Sequence, residues 1–325
     1  MPVLAYGAPA FGVLAATALL YAYFVKYATD VLLVPAGVMG TLYLINRLWD
    51  AGTDPLVGFW SDRTRSRWGR RRPWLVASVV PLVVFSAMAW TPPGALEGTA
   101  LAVWVGVALL GFSTATTLFL VPHNALGAEL TTDYHERTRV FASREYFAVA
   151  GSALALGGGV AVLTRADDPR GAALWIVVAL GVVIAGSMAW SVPRLRERAE
   201  HQGRGAASLL RSFGDVWRNP HARPLLLAYF IDSLGMASVG IVAPYVADYL
   251  LGGPHMLLFF FGFYMLPAVL LAPVWPGVAA RVGKKPLWVG SLVVAALGFG
   301  GFFFVEEGQT AVLCLLAAAI GAAGG

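Results

Sequence analysis

Charge is what this sequence has least of. Charged residues supply only 13% of the chain, about half of the ~25% usual in soluble globular domains, which excludes a sizeable aqueous domain. Cysteine is almost missing too. With Cys314 alone no intrachain disulfide can form, and the redox compartment leaves no trace. The five histidines are scattered. "HER" at 135–137 lacks zinc-protease spacing, and neither a nucleophile elbow nor a phosphate-binding loop is present. Enzymatic chemistry and a resident cofactor are therefore not expected. Nothing basic precedes Lys26, so the first apolar segment is no cleavable signal and stays in the membrane.

Apolar sequence fills the chain instead, 58% of residues, in segments of about 20 residues, the length that crosses a bilayer. Spans are expected at 3–25, 36–60, 73–91, 98–124, 141–163, 172–192, 224–250, 256–280 and 286–305, with a tenth starting near Thr310. Residues 310–325 rise only about 24 Å as a helix, short of a hydrocarbon core of roughly 30 Å. The chain is therefore expected to be a fragment that stops inside span 10. Of the 23 Lys and Arg, 18 fall in alternate loops, at 63–72, 137–139, 194–223 and 281–285. By the positive-inside rule those loops, and the N-terminus, are cytoplasmic in a multi-pass cell-membrane protein. The formal charge of +5 thus reports topology. An arginine cluster squeezed between two spans with no binding module around it does not point to nucleic acid. The expected partners are the lipid bilayer and a small-molecule substrate, and the chain is expected to be monomeric.

The longest polar stretch, 194–223, separates six spans from the four that follow. Residues 1–192 are expected to form an N-terminal six-helix bundle and 193–223 a central cytoplasmic loop, in which 206–217 can form a short interfacial helix. Residues 224–325 then form a partial second bundle. An internal echo supports the division: "GFWSDRTRSRWGRRRPWLV" after span 2 and "GVAARVGKKPLWVG" after span 8 place Gly, basic, Pro and Trp residues in the same order. Copies six spans apart fit the all-α major facilitator fold, two six-helix bundles rocking around a midplane site.

Span 2 carries Asp50 and Asp54 one helical turn apart, hence on one face, with Asn46 and Arg47 a turn earlier. An aspartate inside a span costs at least ~2.5–3.5 kcal/mol on the insertion scale, so two require a partner or an ion. Carboxylates about 6 Å apart in a low dielectric resist ionising together. A bound Na⁺ resolves that, and so does H⁺. Asp62 opposes the macrodipole where span 2 ends and needs basic neighbours. With Arg63, Gly69, Arg70 and Arg71 it reads as a cytoplasmic gate that latches helix ends in one state of a transport cycle; the alternative is a solvated topogenic cluster.

Span 4 ends in "GFSTATTLFLVPHNALGAEL". Ser113 and Thr117 share a face there, and Pro122 frees a carbonyl one turn earlier. These groups are ligands for a hard cation or, equally, helix-packing contacts. His123 and Asn124 lie near the cytoplasmic end, within reach of water. Arg144, about one turn into span 5, either snorkels or meets substrate. Asp232 in span 7 is too short to snorkel, while Asp248 at the far end of that span is expected to meet solvent. Glycines 157–159 read as a close helix contact.

"YGAPAFG", "NRLWDAGTDPLVGFWSDRTRSRWGRRRPW", "ERTRVFASREYFAVAG" and the "GKKP" echo resemble the glycoside-pentoside-hexuronide:cation symporters, the melibiose-permease-like branch of the major facilitator superfamily. The resemblance implies twelve spans, so this chain would lack part of span 10 and all of spans 11 and 12. It also implies a cation site at Asp50 and Asp54, with Thr117 as a further ligand and Thr53 where the family has an amide. The family's sugar-binding arginine matches Arg144. The two acidic sugar ligands of melibiose permease correspond to Leu14 and Leu120, which leaves Arg144, Asp232 and Asn124 as substrate anchors. The expected activity is cation-coupled symport of a sugar, glycoside or uronide by alternating access. The alternatives are transport of a lipid-like amphiphile on the same fold, and a non-transporting membrane sensor or scaffold.

Overall fold

The computed structural model describes residues 2–195, 197, 214, 217–231, 233, 248, 253, 257–271, 274–306 and 308–323, and all regular structure among them is helical. Before the central loop run α1 (Pro2–Ala22), α2 (Phe24–Asp30), α3 (Ala36–Arg63), α4 (Arg72–Trp90), α5 (Gly98–Glu129), α6 (Tyr134–Leu154), α7 (Val160–Arg165) and α8 (Pro169–Ser191). Ala155–Gly159 winds as a π-turn that joins α6 and α7 into one rod. After the loop come α9 (Ala222–Ile231), α10 (Leu257–Leu271), α11 (Trp275–Val282), α12 (Lys284–Gly301) and α13 (Thr310–Ala323).

Six of the described helical segments are long and apolar enough to cross a membrane. α3 is not among them despite its 28 residues, because it carries Arg47, Asp50, Asp54, Asp62 and Arg63. Such a helix crosses a bilayer only with its charged face turned toward protein or water. The first six expected spans coincide with α1, α3, α4, α5, the α6–α7 rod and α8, while the eighth divides into α10 and α11. Asp232, most of span 7 and nearly all of the interfacial segment at 206–217 lie outside the described residues.

One boundary shifts in a way that matters. The fifth span starts as a helix at Tyr134 rather than 141, since Asp133 caps it by accepting from the Glu136 N–H at 2.8 Å and Thr131 donates to the Glu136 carboxylate at 2.7 Å. Arg144 therefore lies ten residues into a continuous helix whose first turns are polar.

α1 stands centrally, packed on α6 and α8, while α3 and α4 pack on α5 and α4 also on α8. The α1–α6 seam is close because Gly151 abuts the Phe11 carbonyl, where any Cβ would collide. Small residues at such seams supply the packing that hydrophobic transfer cannot supply inside lipid. In the second half α10 and α12 pack on α13, and α10 leans on α6 and its π-turn.

Candidate functional site

Asp50 and Asp54 face α5. The Ser113 hydroxyl donates to Asp50 Oδ1, and Thr117 Oγ1 donates to Asp54 Oδ1 at 2.7 Å. Both pairs have the same sequence separation of 63 residues, as two parallel helices in register require. The indole of Trp49 reaches Thr114 Oγ1 on the same seam at 2.8 Å. Pro55 lies inside α3 and has no N–H for the Ala51 carbonyl, so one more acceptor is freed in the turn between the two aspartates. Thr53 is placed differently: its hydroxyl donates to the Trp49 carbonyl of its own helix at 3.1 Å.

Arg47 does not cancel this charge. Its Nη1 is 3.8 Å from Asp50 Oδ2, but its side chain is 52% exposed against 19% for Asp50, and it sits over the Tyr21 ring at 4.7 Å. Such exposed pairs contribute about 0–1 kcal/mol. Asn46 donates to the Tyr21 hydroxyl at 3.2 Å while its Oδ1 is buried without a partner. Among the described residues no three His, Cys, Asp or Glu side chains converge, so donors beyond the two carboxylates are hydroxyls and carbonyls. An all-oxygen set of this kind fits a hard cation.

On the substrate side, Arg144 is half-buried and its Nε is buried without a hydrogen-bond partner. Its charge acts on Tyr6 and His123. His123 is not within reach of water as expected; it is fully buried. Its ring stacks on Tyr6 with centroids 4.2 Å apart, its Nε2 lies 2.9 Å from the Tyr6 carbonyl, and the Tyr6 hydroxyl donates to the His123 carbonyl at 3.1 Å. The reason is tertiary, because α1 passes over this end of α5 and covers it. Asn124 is exposed. Leu14 and Leu120 pack against the apolar core.

At the end of α3, Asp62 meets Arg71 at 2.9 Å and Arg70 at 3.9 Å. Glu129, the last residue of α5, binds Arg70 at 2.5 Å and Arg71 at 2.9 Å. Glu197, beyond α8, accepts from the backbone N–H groups of Arg70, Arg71 and Arg72 at 2.8, 2.9 and 3.0 Å. Gly69 has φ +103°, and a Cβ there would strike the Glu197 carboxylate. Arg63 lies over the Phe59 ring at 3.8 Å. The described members of this network lie before residue 198, in the first bundle and the start of the central loop. The described ion pair that joins the halves is elsewhere: Lys26 Nζ contacts Asp248 at 2.6 Å and Asp30 at 3.0 Å. Asp248 thus meets a buried ammonium instead of open solvent. Burial pulls the Lys26 pKa down, but the hydrogen bonds to Asp248 and Asp30 outweigh it and hold the group above the ordinary lysine value.

The MFS/sugar transport protein family model matches residues 5–325. The chain belongs to this family. Among its relatives are an uncharacterised symporter of Synechocystis sp., 34% identical over 204 residues, covering 61% of this chain and 37% of that one, and an isoprimeverose transporter of Lactiplantibacillus pentosus, 26% identical over 289 residues, covering 85% and 58%. The chain thus spans roughly a third to three fifths of the length of these relatives. The partially occluded inward open structure of the xylose transporter XylE from E. coli superposes with a TM-score of 0.67 at 15% identity, covering 99% of this chain and 83% of that one. This establishes the major facilitator fold, and the symporter branch read from the motifs is borne out. In this MFS chain, Tyr21, Glu129 and Glu197 are the polar residues that sequence reasoning missed. A carboxylate at the end of a helix, opposing its macrodipole and so needing a basic partner, was the available signal for Glu129; nothing local marked the other two.

Proposed function

We propose that this protein is a cation-coupled secondary active transporter, a symporter of a sugar, glycoside or uronide, working by alternating access with Na⁺ or H⁺ as coupling ion. Residues 1–192 and the chain from 224 onward serve as the two bundles, 193–223 as the loop that joins them, and the N-terminus lies in the cytoplasm. The observation that carries the reading is the α3–α5 seam, where two intramembrane carboxylates face hydroxyls rather than resident cations.

Asp50 and Asp54 hold the coupling ion, and Ser113 and Thr117 turn their oxygen lone pairs to it as their donated protons are displaced. An ion held there removes the repulsion between the carboxylates and draws α3 against α5. Arg144 takes the polar or anionic end of the substrate, with its unpartnered Nε as donor. Leu14 and Leu120 present an apolar wall that suits a less polar body, such as an aryl glycoside or uronide. The name of the isoprimeverose transporter supports a glycoside class. The Asp62–Arg70–Arg71–Glu129 network braces the helix ends so that the first bundle moves as one body.

The test is uptake of labelled glycosides and uronides into vesicles under an imposed Na⁺ or H⁺ gradient. Uptake should follow one gradient and lose that dependence in Asp50→Asn. Uptake indifferent to both gradients, or none for any sugar-like solute, would refute the reading.

A further inference from the structure

A groove of about 570 Å³ runs down the outside of the first bundle, between α4 and α8 at the ends nearest the arginine-rich loop. α4 contributes Arg72, Val76 and Val80 to it, and α8 contributes Ala185 and Ala189. On α4 the stripe from Arg72 to Val80 is about 12 Å long. Past its deep end the helices close up, where Gly181 sits against Val83. The wall faces away from the bundle: Val76 is 42% and Val80 68% exposed.

The mouth is cationic in a way the neighbouring arginines are not. Arg70 and Arg71 are each ion-paired with Asp62 and Glu129 through their Nη2 atoms, although Arg71 Nε and Nη1 are buried without a hydrogen-bond partner. The Arg72 guanidinium pairs with no carboxylate among the described residues, and its Nε is buried without a hydrogen-bond partner. The Glu197 carboxylate, which accepts from the Arg72 backbone, is already taken by three N–H groups. Half-exposed Trp68 lies on the rim with the Arg67 guanidinium over its ring at 5.9 Å. Exposed Arg194 follows the α8 side of the groove.

We propose that this groove binds one anionic phospholipid of the leaflet facing the basic loops. Arg72 takes the phosphate, and one acyl chain lies along Val76, Val80, Ala185 and Ala189. A planar guanidinium matches a phosphate bidentately, tryptophan is at home at headgroup level, and basic pockets between membrane helices on this side select anionic headgroups. Among the described residues Arg67, Arg72 and Arg194 form no ion pair, and that cluster favours a net-negative lipid over a zwitterionic one. The lipid fastens the same two helix ends that Glu197 ties by hydrogen bonds.

Native mass spectrometry of the purified 325-residue chain in detergent, titrated with phosphatidylglycerol, tests this. One lipid per chain should be retained under conditions that strip phosphatidylcholine. Arg72→Gln should weaken retention about tenfold, the loss of one charge-assisted contact. Ala189→Trp should do the same by filling an exposed part of the groove without touching charge, and its exposure keeps the fold intact. Glycerol 3-phosphate, a headgroup without chains, should not displace the lipid. The proposal is overturned if both variants hold phosphatidylglycerol like the parent, if phosphatidylcholine is held as tightly, or if glycerol 3-phosphate competes.

Discussion

Asp54 and Asp62 stand about 12 Å apart along one helix, yet they live in different chemistry. Asp62 faces Arg70 and Arg71, which are 5% and 4% exposed and share Glu129 with it. Asp54, like Asp50, faces hydroxyls. A resident guanidinium cancels a carboxylate for good, and removing either member leaves a buried charge uncompensated. A hydroxyl only solvates the charge and leaves it to be met by something that comes and goes. Residue type and helix are shared, so the facing partner alone separates a brace from an ion site.

Removing the brace should have the largest effect. Glu129→Gln leaves two buried arginines with one carboxylate, a change that costs about 3–5 kcal/mol for buried pairs and should lower the thermal midpoint strongly. An unshifted midpoint would mean the arginines are solvated and the contrast with Asp54 is false. Asp50→Asn or Asp54→Asn should instead leave the midpoint nearly unchanged and erase the stabilisation by the coupling cation, about 2.7 kcal/mol at a hundredfold excess over Kd. Retention of that stabilisation in both variants would move the ion elsewhere.

A third variant probes the contact between halves. Asp248→Asn leaves buried Lys26 with exposed Asp30 and should bias the bundles apart at that end by about 1–3 kcal/mol, seen as slower cross-linking of cysteines placed across that contact on the two halves. Equal rates would show that the pair does not hold the bundles. Smaller still, Thr117→Val removes one hydroxyl and should raise the cation Kd a few-fold, up to about tenfold, in a direct titration. Alkali gives the least change. The Lys26 pKa is raised from 10.5, so its contribution is fully present below that value and fades only as pH climbs through the raised one. The separation of the two halves in the parent, read from a pair of spin labels, should therefore be flat between neutral pH and about pH 10.

Much of this arrangement was legible because it is local. Asp50 with Asp54, and Ser113 with Thr117, are each one turn apart, and that period alone predicts two polar faces able to meet. Asp62 beside a run of arginines announces a network by proximity in sequence. The early start of the helix that carries Arg144 was hidden because the first turns of α6 are polar and resemble a loop until the Asp133 cap is noticed. His123 misled for a different reason: a polar side chain near a span end reads as water-seeking, and only the crossing of α1 buries it against Tyr6. The pairing of Lys26 with Asp248 spans 222 residues, a distance at which no sequence period speaks.

The Glu197 cap also sets an order of events during synthesis. The backbone groups of Arg70, Arg71 and Arg72 find their acceptor 127, 126 and 125 residues later in the chain. At 5–20 residues per second the ribosome needs roughly 6–25 s to deliver it. Until then the start of α4 stands uncapped at the membrane surface, where water must serve its N–H groups. The first bundle is therefore finished only when the central loop begins to emerge, and a chain released shortly before Glu197 would carry all six spans yet remain unlocked at that end.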